Sequence, residues 1–152
     1  MKQLEFKQIL PIPIEEAWDF FSSPKNLEII TPADVNFKIL SDLPERIYPG
    51  LFIHYQIRVL PPFRFYWTTG IVEVKEGVYF VDEQKRGPYK YWRHEHYFET
   101  TSDGVLMTDK IFYDIGWSFA GWVAGEIFVH RKVKSIFKFR SDALKKLFPR
   151  KS

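Results

Sequence analysis

Residues 87–99, GPYKYWRHEHYFE, place Trp92, His94, His96 and Phe98 on alternate positions. Alternate residues of an extended strand share a face, so both imidazoles lie on the side that carries the two aromatics. Trp92 and Phe98 favour burial, and they take the histidines inward with them. In an interior, desolvation and neighbouring charges set the protonation of imidazole, the side chain that titrates near neutral pH. Gly87-Pro88 and Asp103-Gly104, taken as turns between antiparallel strands, predict the neighbours across the sheet. Asp82 and Gln84 fall beside His94 and Trp92, Asp109 beside His96, and Tyr113 beside Trp92 or His94. A carboxylate next to imidazole fixes its tautomer and raises its basicity, which makes His94, His96 and Asp109 candidates for general acid–base catalysis. The same pairing also serves two buried polar groups that satisfy each other.

Other chemistry finds less support. Two His and one Asp could supply three metal donors, but His94 and His96 on adjacent same-face positions need a third donor to converge, and no HExxH-like spacing supports it, so neither a metal nor another cofactor is expected. The chain has no cysteine, which excludes thiolate catalysis, disulfides and Cys-based metal sites. A Gly-x-Ser-x-Gly elbow, a phosphate-binding loop and a dinucleotide fingerprint are all lacking. The sequence argues for binding before it argues for turnover.

The elements that must position these residues are read from periodicity. Residues 4–10 form a short strand ended by Pro11 and Pro13, and Ile14, Ala17, Trp18 and Phe21 then carry helical spacing. Ser23-Pro24 starts a second short helix, Pro24 to Ile30, closed by Thr31-Pro32. Extended segments follow at about 35–41, 51–60, 63–75, 78–86, 89–100 and 104–114, separated by Gly and Pro turns that imply a meander. In the second of these, Leu51, Ile53, Tyr55, Ile57 and Val59 alternate with polar residues, the pattern of a sheet wet on one face.

From about Phe119 the period becomes helical. Val129, Val133, Ile136, Phe137, Leu144 and Leu147 make one stripe, with Arg131, Lys134, Lys138 and Lys145 opposite. Counting 100° per residue, Glu126 and Arg140 also fall on the inward stripe, where a charge must be paired or near solvent; a cavity mouth suits both, and Arg140 could grip a ligand carboxylate. Gly121 and Gly125 flank Trp122, so the helix start is expected to bend or to pack closely.

At 152 residues without linker, repeat or low-complexity segment, the chain reads as one domain, 1–152. Fifteen Phe, eight Tyr and five Trp suit either a large core or the lining of an apolar cavity. No stretch has the length to span a bilayer or to act as a signal peptide, which leads to a cytoplasmic expectation. Residues 130–152 hold nine Lys or Arg against Asp142 alone, a net of +8, which leaves −5 for residues 1–129 of the total of +3. With Phe128 and Phe139 among the lysines, this basic helix leaves open weak contact with anionic surfaces or an oligomer interface; no specific nucleic-acid partner is expected.

The order of strand, two short helices, six strands and long helix predicts an α+β protein in which a curved antiparallel sheet of about seven strands wraps the C-terminal helix. With PIPIEEAWDFFSSPKNLEIITP near the start and VDEQKRGPYKYWRHEHYFE in the middle, followed by Asp109 and Tyr113, the chain resembles the SRPBCC superfamily of START-like, helix-grip ligand-binding proteins. Within it, the residues look like the bacterial polyketide cyclase-like or cell-division-inhibitor-like branch. That resemblance implies a cavity between sheet and helix for a hydrophobic ligand, lipid- or polyketide-like, and it transfers no catalytic residue. Trp67, Trp92, Phe98, Ile111 and Tyr113 are then expected as walls, with His94, His96, Asp82, Gln84 and Asp109 as polar contacts. An enzyme using His94 or His96 for proton transfer in cyclisation or dehydration is the alternative. An interaction module built on the basic helix is the other.

Overall fold

Gly104 sits at φ +128°, and a Cβ there would stand 2.1 Å from the carbonyl oxygen of Leu10. Only glycine lets the chain reverse this close to its own first strand, and the closure of the sheet depends on it. The structure, a computed structural model, describes residues 1–60, 62–116 and 123–151. Strands β1 (Lys2–Leu10), β2 (Lys38–Ile39), β3 (Phe52–Leu60), β4 (Phe63–Lys75), β5 (Tyr79–Arg86), β6 (Tyr91–Thr101) and β7 (Gly104–Asp114) form one antiparallel sheet. Its order is β1-β7-β6-β5-β4-β3-β2, a meander with the first strand returned to the last. Helices α1 (Ile14–Phe21) and α2 (Val123–Leu147) complete an α+β, helix-grip-like architecture.

The stretch between α1 and β3 departs from the sequence reading. The helix expected over Pro24 to Ile30 is a single 3-10 turn, Pro24–Leu27, and a second turn follows at Ala33–Val35. Side chains compete with helical bonding here: Asn26 donates to the Phe20 carbonyl at 2.9 Å and Thr31 to the Leu27 carbonyl at 2.6 Å. Asn36 then takes a left-handed conformation, φ 48°, and the strand expected over 35–41 shrinks to the two residues of β2. The start of α2 expected near Phe119, together with Gly121 and Trp122, lies outside the described residues.

The phase read for α2 holds along most of its length. Val133, Phe137 and Leu144 are buried, while Arg131, Lys134, Lys138 and Lys145 face water. Burying each of the three apolar side chains is worth about 1.5–3 kcal/mol, enough to dock a helix whose outer face is cationic. Leu147 departs from the stripe and is exposed in the last turn. Phe6 of β1 stacks on Phe137 with ring centroids 4.6 Å apart and planes 2° from parallel, tying α2 to the sheet edge.

The interior holds a small apolar group of Leu51, Ile53 and Ile71 and two large ones. One centres on Trp18, Phe21, Phe80, Phe98 and Leu144, the other on Ile57, Trp67, Ile111, Val133 and Phe137. Between them sit the buried polar residues His94, His96, Asp109 and Arg140.

Candidate functional site

Strand register brings the polar residues into two rows across β5, β6 and β7. Asp82 faces His94, which faces Ile111, and Phe80 faces His96, which faces Asp109. All point to the same side, toward α2, because they are separated by even numbers of residues along their strands. The shortest contacts nevertheless run diagonally. His94 Nε2 lies 2.9 Å from Asp109 Oδ1, and His96 Nε2 lies 2.8 Å from Asp82 Oδ2. The remaining ring nitrogens look the other way: His96 Nδ1 is 3.1 Å from Asp109 Oδ1 and His94 Nδ1 is 3.8 Å from Asp82 Oδ2.

Arg140 enters from α2. Its Nη2 is 3.3 Å from Asp109 Oδ1 and 3.8 Å from the Met107 sulfur. The guanidinium also lies 5.4 Å from the Phe21 ring and 5.6 Å from the Phe137 ring, so its charge meets aromatic faces as well as a carboxylate. His96 stacks on Phe80 at 4.0 Å, and His94 meets Phe137 edge-on at 5.3 Å. The polar cluster thus has apolar walls on both flanks.

This setting separates the two imidazoles. Burial, reinforced by the adjacent His96, lowers His94 to about 4 despite its contact with Asp109. Burial also opposes charge on His96, but its contacts with Asp109 and Asp82 outweigh it and raise the ring above its ordinary value. Asp109 pays the same burial cost, yet Arg140 and the two histidines hold its carboxyl well below the usual range.

A cavity of about 210 Å³ opens beside this cluster, between sheet and α2. Of the residues expected from sequence, Trp67, Trp92, Asp82, His94, His96 and Arg140 line it. The others stand elsewhere. Asp109 lies one layer behind the histidines, buried to 1% exposure. Gln84 closes the β5–β6 turn, donating to the Tyr89 carbonyl at 2.6 Å and accepting from the Tyr89 amide at 3.2 Å. Phe98 packs edge-on against Trp18 in the other apolar group, and Ile111 is fully buried in β7. Tyr113 Oη lies 2.7 Å from His130 Nδ1. Glu126 is not turned inward: it is exposed and pairs with Lys2 at 3.0 Å, because the first turn of α2 stands beside the open start of β1, where water and a cation are both within reach.

Sequence reasoning missed one side of the cavity. Phe20, Leu27, Thr31 and Phe37 line it and are half-buried, so the segment between α1 and β2 forms much of its solvent-facing side. Phe20 sits near the end of α1, and the other three belong to a stretch of short turns without a period of their own, where no pattern marks them. Tyr89 lines it too; the sequence reads it only as the start of the extended segment 89–100, whereas β6 begins at Tyr91. Trp67 carries a further signal: its Nε1, on a side chain only 5% exposed, has no hydrogen-bond partner among the described residues.

No family model matches the chain, and no curated protein matches it. Many solved structures share its fold. A protein from Chromobacterium violaceum superposes with a TM-score of 0.72 at 12% identity, over 99% of this chain and 100% of the other. Another, from Mycobacterium smegmatis, gives 0.65 at 14% identity, over 95% and 92%. A nucleoside-diphosphate sugar epimerase from Corynebacterium glutamicum gives 0.67 at 21% identity, over 94% of this chain but 28% of the epimerase. At these identities the likeness is one of fold.

Proposed function

We propose that this chain is a ligand-binding domain of the SRPBCC superfamily, spanning residues 1–152, that holds an apolar or aromatic small molecule between the sheet and α2. The observation that carries this reading is a cavity lined by aromatics, Trp67, Trp92, Tyr89 and Phe37, together with a polar group, Asp82, His94, His96 and Arg140. A few convergent polar groups in an apolar hollow are what fixes the orientation of a small ligand. The unpartnered Trp67 indole N–H supports the reading further, since a buried donor costs about 1–3 kcal/mol until an acceptor reaches it. Size narrows the ligand class. A cavity of about 150 Å³ accommodates benzene, so 210 Å³ suits one or two fused rings or a short branched chain, smaller than a full lipid. A carbonyl or hydroxyl oxygen on the ligand would answer Trp67.

The fold shared with the Chromobacterium violaceum and Mycobacterium smegmatis proteins supports the superfamily assignment, and the polyketide cyclase-like branch remains the reading closest to the chain's own motifs. Among the described residues no helix is long and apolar enough to cross a membrane. Native mass spectrometry of freshly purified protein, followed by solvent extraction, tests the proposal. A retained small molecule that disappears in Ile136→Trp, which narrows the cavity at a half-buried position, is the expected result. Protein that carries nothing and gains no thermal stability from a panel of one- and two-ring aromatic acids and phenols would overturn it.

One observation favours proton-transfer catalysis as a second reading. Two imidazoles with oppositely shifted pKa values line the same cavity, which supplies an acid in His96 and a neutral ring in His94. Exchange of deuterium from solvent into a retained ligand, lost in His96→Gln, would mark it.

A further inference from the structure

The ring nitrogens of the two histidines sort into two sets. His94 Nδ1 and His96 Nε2 approach the same oxygen, Asp82 Oδ2, at 3.8 and 2.8 Å. His94 Nε2 and His96 Nδ1 approach a different single oxygen, Asp109 Oδ1, at 2.9 and 3.1 Å. The first set lies on the cavity side, since Asp82, His94 and His96 all line the cavity and Asp109 does not. We propose that Asp82, His94 and His96 bind one divalent first-row transition-metal ion, with Asp109 behind them as the carboxylate that orients both rings.

Each part of that arrangement answers a requirement of such a site. Two neutral imidazoles and one carboxylate are a borderline-to-hard donor set, suited to Zn²⁺, Fe²⁺ or Co²⁺ and unsuited to ions that select thiolate. A metal-bound imidazole donates its other N–H to a carboxylate or carbonyl, and here the outward nitrogen of His94 hydrogen-bonds Asp109, while that of His96 stands 3.1 Å from the same oxygen without hydrogen-bond alignment. Arg140 Nη2, 3.3 Å from the same oxygen, keeps that carboxylate charged and in place. The sequence already sets Asp82 beside His94, and the strand register places it directly across β5 and β6, where the three donors converge.

Geometry also sets what must move. Ligands about 2.0–2.2 Å from one ion stand about 3–3.5 Å from each other. The three donor atoms lie within 4.8 Å of one another, so closing the triad takes about 1 Å of ring or carboxylate movement, on the side where the cavity leaves room. In the hydrogen bond between His96 Nε2 and Asp82 Oδ2 a proton occupies the line between the donors, and the ion replaces it. Counting the Asp82 and Asp109 carboxylates, Arg140 and the divalent ion, the assembly carries one net positive charge. Its open position therefore favours hydroxide or an anionic oxygen, a carboxylate or an enolate, on a molecule in the cavity. The metal site itself stands on the donor geometry alone, so failure to find a retained organic ligand leaves it intact.

Titration of the chelator-treated, dialysed 152-residue protein with Co²⁺, followed by visible absorption, provides the test. One equivalent bound at micromolar concentration, with the intense bands of four- or five-coordinate cobalt, bleached by Zn²⁺, is the expected result. Asp82→Asn, an isosteric change at a half-buried position, should abolish the bands while circular dichroism shows the fold retained, and His96→Gln should do the same. Asp109→Asn should weaken binding about 10- to 100-fold without abolishing it. His54→Gln, at an exposed histidine, should change nothing. Wild-type protein that shows no saturable binding of Co²⁺ or Zn²⁺ would overturn the proposal, and so would a folded Asp82→Asn variant that keeps the wild-type spectrum and affinity.

Discussion

The rings of His94 and His96 lie 3.6 Å apart, centroid to centroid, with planes inclined by 36°. Two imidazolium charges at that distance in a buried setting repel strongly, so the pair favours one charge, and the surroundings place it on His96. Asp82, Asp109 and Arg140 are the charged groups that face the pair, from β5, β7 and α2.

Stability of chelator-treated protein should therefore peak near pH 6.5. His94 is lowered to about 4, so between about pH 6.5 and 4 the unfolded chain binds a proton that the folded chain refuses, and stability falls as pH falls. His96 is raised, so its contribution is complete below the unfolded value and fades as pH rises through the folded one. Asp109 is depressed, so its contribution is lost only as pH falls below the usual carboxylate range. Melting temperatures from pH 4 to 9, together with imidazole titrations by NMR, check this. Two rings titrating together near 6.5 would contradict it.

Arg140→Met should cost about 3–5 kcal/mol, because it leaves Asp109 charged, buried and without its strongest cation. The double variant Arg140→Met, Asp109→Asn should recover part of that loss. Denaturant unfolding of the single and double variants measures the coupling, and a single-variant loss below about 1 kcal/mol would mean that the histidines alone sustain the carboxylate.

Phe137→Ala should cost about 3–5 kcal/mol. The ring is 7% exposed, stacks on Phe6 and meets His94 edge-on, so its removal opens a void beside both the helix contact and the polar cluster. Equilibrium unfolding measures it, and a loss below about 1 kcal/mol would place this ring outside the working core.

Replacing both His94 and His96 with Phe should preserve the fold at a lower melting temperature and change which molecule the cavity retains. Both rings line the cavity, so the change converts a polar wall into an apolar one. It also leaves Asp82 without its 2.8 Å partner, which accounts for the stability loss. Unchanged retention by mass spectrometry would reduce the histidines to partners of the two carboxylates.

Affinity of α2 for anionic vesicles should be weak and should vanish between about 50 and 200 mM salt. Phe128 and Phe139 are each 40% exposed among the lysines, but Lys132 already pairs with Asp34 and Lys138 with Asp142 at 2.9 Å. Vesicle co-sedimentation at the two salt concentrations decides it, and binding that survives would mean that the exposed rings insert.

The sequence by itself determined the strands other than β2, most of the phase of α2 and the shared face of Trp92, His94, His96 and Phe98, because those follow from periods of two and 3.6 that survive any packing. It also determined which carboxylates stand opposite the histidines, since the turns at Gly87-Pro88 and Asp103-Gly104 fix the register. Only the tertiary structure decided that each imidazole makes its shorter carboxylate contact diagonally rather than with the residue directly across. That choice depends on Arg140 arriving from α2 beside Asp109, and on Phe80 and Phe137 setting the ring planes. It decided too that Glu126 turns to Lys2 and that Phe20, Leu27 and Phe37 line the cavity. These are contacts between residues distant in sequence or held in aperiodic turns, where local pattern carries no information about what packs against what.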